Sequence, residues 1–441
     1  MGDRLADLYP THVQTLRQRH DRALAESEFD HVIIFSGAIR MAFLDDMFYP
    51  FKPNPHFKAW VPITDNPNCF VVYTPGQKPR LIYFQPVDYW YKPADTPSGY
   101  WVDHFDIKVI GTPADAKQHF PRNGRLAYIG EPDGDYAGEL NPIPLLNQLH
   151  FDRAWKTEYE IECMRRANQS GARAHRAAER AFRSGASEYE IHLEYLRAAN
   201  STEEELPYAS IIGMNENAAV LHYVQHERRR LDESRRFSFL IDAGANVNGY
   251  ASDITRTHAQ RNDEFGQMIE AFDAGQQELC AAVKPKINYP DLHMSAHRMV
   301  ARMLEQFRFT RDIDAGGIVE KTISSVFFPH GVGHYIGLQV HDVAGFMADR
   351  TGTNIPKPPG HPYLRLTRTV EPTHVFTVEP GMYFIAPLLA DLEKSPNAKY
   401  INWPKVDEFR KFGGIRIEDD VVVTTTGHEN LTRAAFAEAG K

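Results

Sequence analysis

The sequence predicts an α+β protein of two domains, an N-terminal mixed α/β domain over residues 1–155 and a C-terminal α+β domain over residues 156–441. Three observations carry this. A chain of 441 residues exceeds what one ordinary core encloses, at roughly 100 to 200 residues per domain. Short apolar β-rich runs bounded by Gly and Pro fill the first part of the chain, and two helix-start signals follow each other closely after Trp155.

The N-terminal strands are expected at Val32–Phe35, Phe70–Tyr73, Leu81–Tyr83 and Leu126–Ile129. The aromatic-rich stretch from Phe84 to Trp101 lacks the basic interleaving of a nucleic-acid stacking surface, so it is read as core or interface. Thr157-Glu-Tyr-Glu160 is a capping box that opens a helix running toward Gly185, and Ser187-Glu-Tyr-Glu190 is a second one. Apolar strand runs resume at Phe237. The polar, Pro-rich segment from Asp349 to Pro362 reads as a long loop, a length associated with function or mobility. No fixed-period repeat is present.

Composition excludes several classes. Hydrophobic residues make up 42% and charged residues 24%, the values of a globular chain. A balance of 49 basic against 58 acidic residues gives a net charge of −9, which opposes binding to phosphate backbones, so no nucleic-acid partner is expected. Cys69, Cys163 and Cys280 form neither a disulfide framework nor a C-x-x-C site, which fits a reducing, cytoplasmic location. Acids stand where a signal peptide would be apolar, no run of 18 apolar residues occurs, and Gly2 followed by Ala6 misses the myristoylation pattern. No membrane partner is expected.

The chemistry concentrates in four segments. From Phe237 to Thr257, two β-prone runs flank a Gly- and Asn-rich stretch, a hairpin signature. A turn centred between Val247 and Asn248 sets Asp242 opposite Asp253. Like charges across a sheet repel, so a cation sits between them or one carboxyl is protonated. Next, His330, His334 and His341 fall in one run punctuated by Gly331, Gly333 and Gly337, which let side chains converge from an irregular path. Glu379 ends an apolar run before a Pro-Gly turn. In the last segment, alternation puts Ile415 and Ile417 on one face of a strand and Arg416 with Glu418 on the other, either an exposed salt bridge or part of a site. Four carboxylates, one histidine and no thiolate make an oxygen-rich donor set suited to Mn, Co or Zn, with enough negative charge for two divalent ions.

With these residues in view, the chain resembles the bacterial Xaa-Pro dipeptidase (prolidase) family within the M24 metallopeptidases of pita-bread fold, and is also similar to the organophosphorus acid anhydrolases. The resemblance covers essentially the whole chain, including Phe43-Leu-Asp-Asp-Met-Phe-Tyr-Pro-Phe-Lys52, and fills all five ligand positions: Asp242, Asp253, His334, Glu379 and Glu418. It implies two divalent ions per subunit, manganese with Co or Zn as alternatives, and a small Xaa-Pro dipeptide as substrate. It implies that Asp253 and Glu418 bridge the ions, that Asp242 completes one site, and that His334 with Glu379 completes the other. Arg416 would support a bridging carboxylate, while His222, His330 and His341 would surround the scissile carbonyl. Tyr208 and Asp45 would line the pocket, Asp45 entering from the partner of a homodimer.

The charge of two such ions would let water act as nucleophile near neutral pH. His341 or His222 would stabilise the oxyanion. Glu379 would carry a proton to the proline nitrogen, which starts without a hydrogen. Arg365, matching the family's carboxylate-binding arginine, would fix the free C-terminus of a dipeptide. An aminopeptidase P accepting longer peptides, a side activity on organophosphate triesters and a non-catalytic pita-bread binding module are the alternative readings.

Overall fold

The protein was analysed as a computed structural model that describes residues 3–132 and 138–440. Gly2, considered for lipidation, lies outside the described residues. The chain divides into two compact units. The first comprises residues 1–163 together with 247–250 and 347–354, and the second comprises the remainder. The division at 163/164 falls within the helix Glu158–Arg183.

The first unit is built on a six-stranded mixed sheet. Its order is Asp106–Ile110, Arg80–Phe84, Phe70–Tyr73, His31–Phe35, Leu126–Ile129 and Glu139–Leu140. His31–Phe35 pairs antiparallel with Phe70–Tyr73 and parallel with Leu126–Ile129. The four apolar runs read from sequence become the sheet's centre, with Val32, Ile33, Ile34, Val71 and Leu81 fully buried. The aromatic stretch divides: Trp101 is buried, whereas Tyr89, Trp90 and Tyr91 are exposed.

The second unit takes in most of the helix Glu158–Arg183, which the two capping boxes frame. Thr157 and Glu160 exchange backbone and side-chain hydrogen bonds, as do Ser187 and Glu190. Its sheets are short. Ile211–Met214, Ser238–Asp242 and Thr255–Ala259 form one antiparallel sheet, Val375–Val378, Asp419–Val423 and His428–Asn430 another, and Gly381–Tyr383 pairs with Gly414–Arg416. The first of these corrects the expected register. Thr255, not Asp253, stands opposite Asp242. The turn is at Asn248-Gly249, whose φ values of 53° and 88° suit a tight Asn-Gly hairpin. Its centre is one residue later than the sequence suggested, and that moves every partner by two. A shift of two preserves the face, so both aspartates still point the same way.

Candidate metal centre

Strand ends in the second unit, or positions next to them, supply four of the five ligand-type residues. Asp242 closes Ser238–Asp242, and Asp253 lies two residues before Thr255–Ala259. Glu379 directly follows Val375–Val378. Glu418 sits between two strands and is bridged to Thr255. His334 reaches them from a loop running beside Val375–Val378, where the Thr377 and Glu379 amides donate to the His334 and Val332 carbonyls. A glycine at 333 is required: a Cβ there would stand 2.0 Å from the Thr377 carbonyl oxygen.

The side chains converge. One ligand atom from each of Asp253, His334 and Glu418 lies within 4.8 Å of the other two, and all three residues are buried. His334 Nε2 is 3.4 Å from Asp253 Oδ2 and 3.6 Å from Glu379 Oε1. The Tyr208 hydroxyl stands 2.8 Å from Asp242 Oδ1 and 2.6 Å from Asp253 Oδ1, one proton facing two carboxylates.

The electrostatics are those of a site short of positive charge. Burial is the main cause that pushes Asp242 up to about 6 and Glu379 up to about 7, and it raises Glu418 well above the carboxylate range. Neighbouring carboxylates add to each shift, and Arg416 offsets it only in part. His334 shows the other side of the same field. Burial disfavours its charge, yet Asp253 and Glu379 raise it to about 9. Its Nδ1 donates to the Tyr335 carbonyl at 2.9 Å, which leaves Nε2 facing the carboxylates, the orientation a ligand imidazole needs. Oxygen-rich donors with unneutralised negative charge fit divalent cations.

Behind these residues runs a chain of directed hydrogen bonds. Arg416 binds Asp242 Oδ2 at 2.7 Å, the Tyr383 hydroxyl at 2.8 Å and Thr255 Oγ1 at 3.1 Å. Thr255 in turn donates to Glu418 Oε2 at 2.7 Å. The direct carboxylate partner of Arg416 is therefore Asp242, and it reaches Glu418 only through a hydroxyl. His330 Nδ1 is 2.8 Å from the Gly331 carbonyl, which fixes the proton there, so Nε2 accepts from the Tyr383 hydroxyl at 2.8 Å. Burial, and then the Arg416 charge, push His330 down to about 3. It is neutral with both nitrogens engaged.

His341 packs edge-on against His334, with ring centroids 4.3 Å apart. Burial, then the His334 and Arg365 charges, lower it to about 4. His222 and Arg365 are exposed, and His222 is close enough to His341 and His330 to affect their charge. Asp45 is exposed within the first unit. Tyr383, Thr255 and Asp420 escaped the sequence reading. Asp420 Oδ2 accepts from the Asp253 amide at 3.1 Å and from Asn168 Nδ2 at 2.8 Å, anchoring the backbone of a ligand residue. The strand alternation that placed Arg416 and Glu418 on one face also puts Asp420 there, the one sequence signal for it.

The chain is similar to known proteins along nearly its whole length. The profile described as "Xaa-Pro dipeptidase, N-terminal domain" matches residues 7–151, and that of "Metallopeptidase family M24" matches residues 162–425. A protein of Stenotrophomonas maltophilia named Xaa-Pro dipeptidase is 49% identical over 98% of both chains. One of Shewanella oneidensis with the same name is 48% identical over 98% of this chain and 99% of its own. Among solved structures, zinc-substituted Escherichia coli aminopeptidase P in complex with product superposes with a TM-score of 0.69 at 23% identity, covering 96% of this chain and 98% of that one. The same enzyme with the inhibitor Pro-Leu gives 0.68 at 24%, with the same coverage. At that identity the likeness shows the fold.

Proposed function

The chain belongs to metallopeptidase family M24, and on that footing we propose that it hydrolyses Xaa-Pro dipeptides with two divalent ions, manganese in the native protein. The observation that carries this is the convergence of Asp242, Asp253, His334, Glu379 and Glu418, where burial first and then neighbouring carboxylates raise Asp242, Glu379 and Glu418, while Asp253, although burial opposes it, is held down by His334. These five residues would hold the ions, with Asp253 and Glu418 serving both. Asp253 supports this by its position, with Oδ1 toward the Tyr208 hydroxyl that also meets Asp242 and Oδ2 toward His334.

When bound, the ions supply Lewis acidity, which makes a water nucleophile available near neutral pH and polarises the scissile carbonyl. Glu379, half-buried between His334 and His330, carries the proton that the proline nitrogen needs before it can leave. His341 and exposed His222 donate hydrogen bonds to the developing oxyanion. Both nitrogens of His330 are occupied by protein groups, so it is a positioning residue that orients Tyr383 and through it Arg416. Tyr208 holds Asp242 and Asp253 in one orientation. Arg365, exposed and near enough to His341 to depress its basicity, binds the substrate's C-terminal carboxylate, which longer peptides lack at that place.

Replacing Arg365 with Met is the test of substrate length. KM for Leu-Pro should rise about tenfold or more, the worth of one charge-assisted contact, with bound manganese unchanged. Unaltered kinetics would reject the assignment, and equal cleavage of a Leu-Pro-Xaa tripeptide by the unmodified protein would favour an aminopeptidase P. The same nucleophile suits phosphorus, so slow hydrolysis of an organophosphate triester belongs to this reading. Three free, buried cysteines support a cytoplasmic setting. A homodimer is supported by the apolar surface of the first unit, where Phe43, Leu44, Met47, Tyr89 and Trp90 are 64–90% exposed, with Asp45 in the same stretch contributing to the partner's pocket.

A further inference from the structure

Outside the carboxylate centre, the second unit holds a cluster of three histidines. The helix Tyr289–Gln306 carries His293 and His297, four residues apart and so on one face. The loop after Gly360 brings His361 to them. His293 and His297 are each 1% exposed, and His361 is half-buried. Every pair of rings has centroids 4.6 Å apart, and one nitrogen of each lies within 4.8 Å of the other two.

Hydrogen bonding within the protein accounts for only part of this arrangement. His293 Nε2 and His361 Nδ1 are 2.9 Å apart, so one ring donates to the other. Ser324 Oγ takes up His297 Nδ1 at 3.1 Å. That leaves His297 Nε2 and His293 Nδ1 buried without a partner, and an unpaired buried polar atom costs about 1–3 kcal/mol. A hydroxyl on the far nitrogen of His297 is what orients a metal-binding imidazole and fixes its tautomer. Burial, then repulsion from the neighbouring rings, push His293 down to about 2 and His297 to about 3, so both present lone pairs at neutral pH.

We propose that His293, His297 and His361 form a further metal site, separate from the carboxylate centre, that takes one Zn²⁺ through three neutral imidazoles. The donor chemistry separates the two sites. Nitrogen ligands without a carboxylate favour a borderline ion such as Zn²⁺, whereas the oxygen-rich centre suits harder ions. Three protein ligands leave a fourth position, and the cluster opens to a cleft lined by Ser325, Phe328, His330, Tyr363 and Leu364. Phe328 stacks near both His297 and His330, at 4.8 and 4.9 Å between centroids. The site is thus one ring away from His330 and shares no ligand with the carboxylate centre.

The test is equilibrium dialysis of metal-stripped full-length protein against Zn²⁺, with metal counted per chain. The unmodified protein, His361→Ala, the double variant Asp253→Asn/Glu418→Gln and the triple variant would be compared, and circular dichroism would check that each is folded. The His361→Ala variant should bind one Zn²⁺ fewer than the unmodified protein. The double variant should retain one Zn²⁺, and the triple variant should lose it. Co²⁺ in the double variant should give the intense visible absorption of a four-coordinate ion. Equal Zn²⁺ counts for the unmodified protein and His361→Ala would overturn the proposal, and that comparison decides even if the double variant fails to fold.

Discussion

Two buried regions of this molecule solve opposite problems. In the first unit, the centre of the sheet is closed by apolar side chains alone, with Val32, Ile33 and Ile34 fully buried. In the second unit, the strand segment around residue 418 buries charge. Glu418 and Asp419 are neighbours with 2% and 0% exposure, yet their environments diverge. Although burial opposes it, Arg256 and Arg433 hold Asp419 down to about 2, and its oxygens meet their guanidinium groups at 2.7 Å each. Burial and three other carboxylates drive Glu418 well above its ordinary range. One face of the strand carries its own counter-ions, and the other is built to receive them. A buried carboxylate without a cation costs stability unless it is neutralised, so the second face is shaped for function at the expense of the metal-free fold.

The comparison breaks most sharply at the unneutralised face. Replacing Glu418 with Gln should lower Leu-Pro hydrolysis by about a thousandfold or more, the worth of several kcal/mol of Lewis-acid stabilisation. It should leave the metal-free protein as stable as before or more so, because it removes a carboxylate that burial and three other carboxylates disfavour. A large loss of metal-free stability in urea unfolding would mean that Glu418 serves the fold. At the neutralised face, Asp419→Asn should cost about 3–5 kcal/mol, the usual result of stranding buried partner charges. Its pH signature follows from a folded value of about 2 against an ordinary 3.8. Asp419 stabilises above 3.8, and that contribution is lost as pH falls from 3.8 toward 2. The acid limb of the unfolding curve should therefore flatten in the variant. The smallest effect is expected in the apolar region. Ile33→Ala should destabilise by about 2–4 kcal/mol while leaving turnover per folded molecule unchanged, measured by active-site titration.

The two regions also differ in how far they were legible. Four of the six strands in the first unit stand out as apolar runs, because burial on both faces leaves nothing polar to interrupt them. The two missed strands lie at the edges: Asp106–Ile110 is half-exposed, and Glu139–Leu140 has only two residues. In the second unit Asp242 and Glu379 stand out as single charges at the ends of apolar runs, whereas the choice of all five ligand-type residues comes from the family resemblance. Their supports were not legible. Thr255 serves Glu418, which is 163 residues away, and Asn168 serves Asp420 across 252, distances at which no local pattern survives. The hairpin register slipped because the turn was centred on Val247 and Asn248 instead of Asn248 and Gly249. His293 and His297 had helical ligand spacing in plain view, but His361 joins them only through the fold.

Central to this account is that the buried carboxylate ring is completed by two divalent ions that drive dipeptide cleavage. Titrating metal-stripped protein with Mn²⁺ while following Leu-Pro hydrolysis and bound manganese together tests this directly. Activity should be absent without metal and should saturate at two Mn²⁺ per chain. Full activity in the metal-stripped protein, or saturation unconnected with bound manganese, would contradict it.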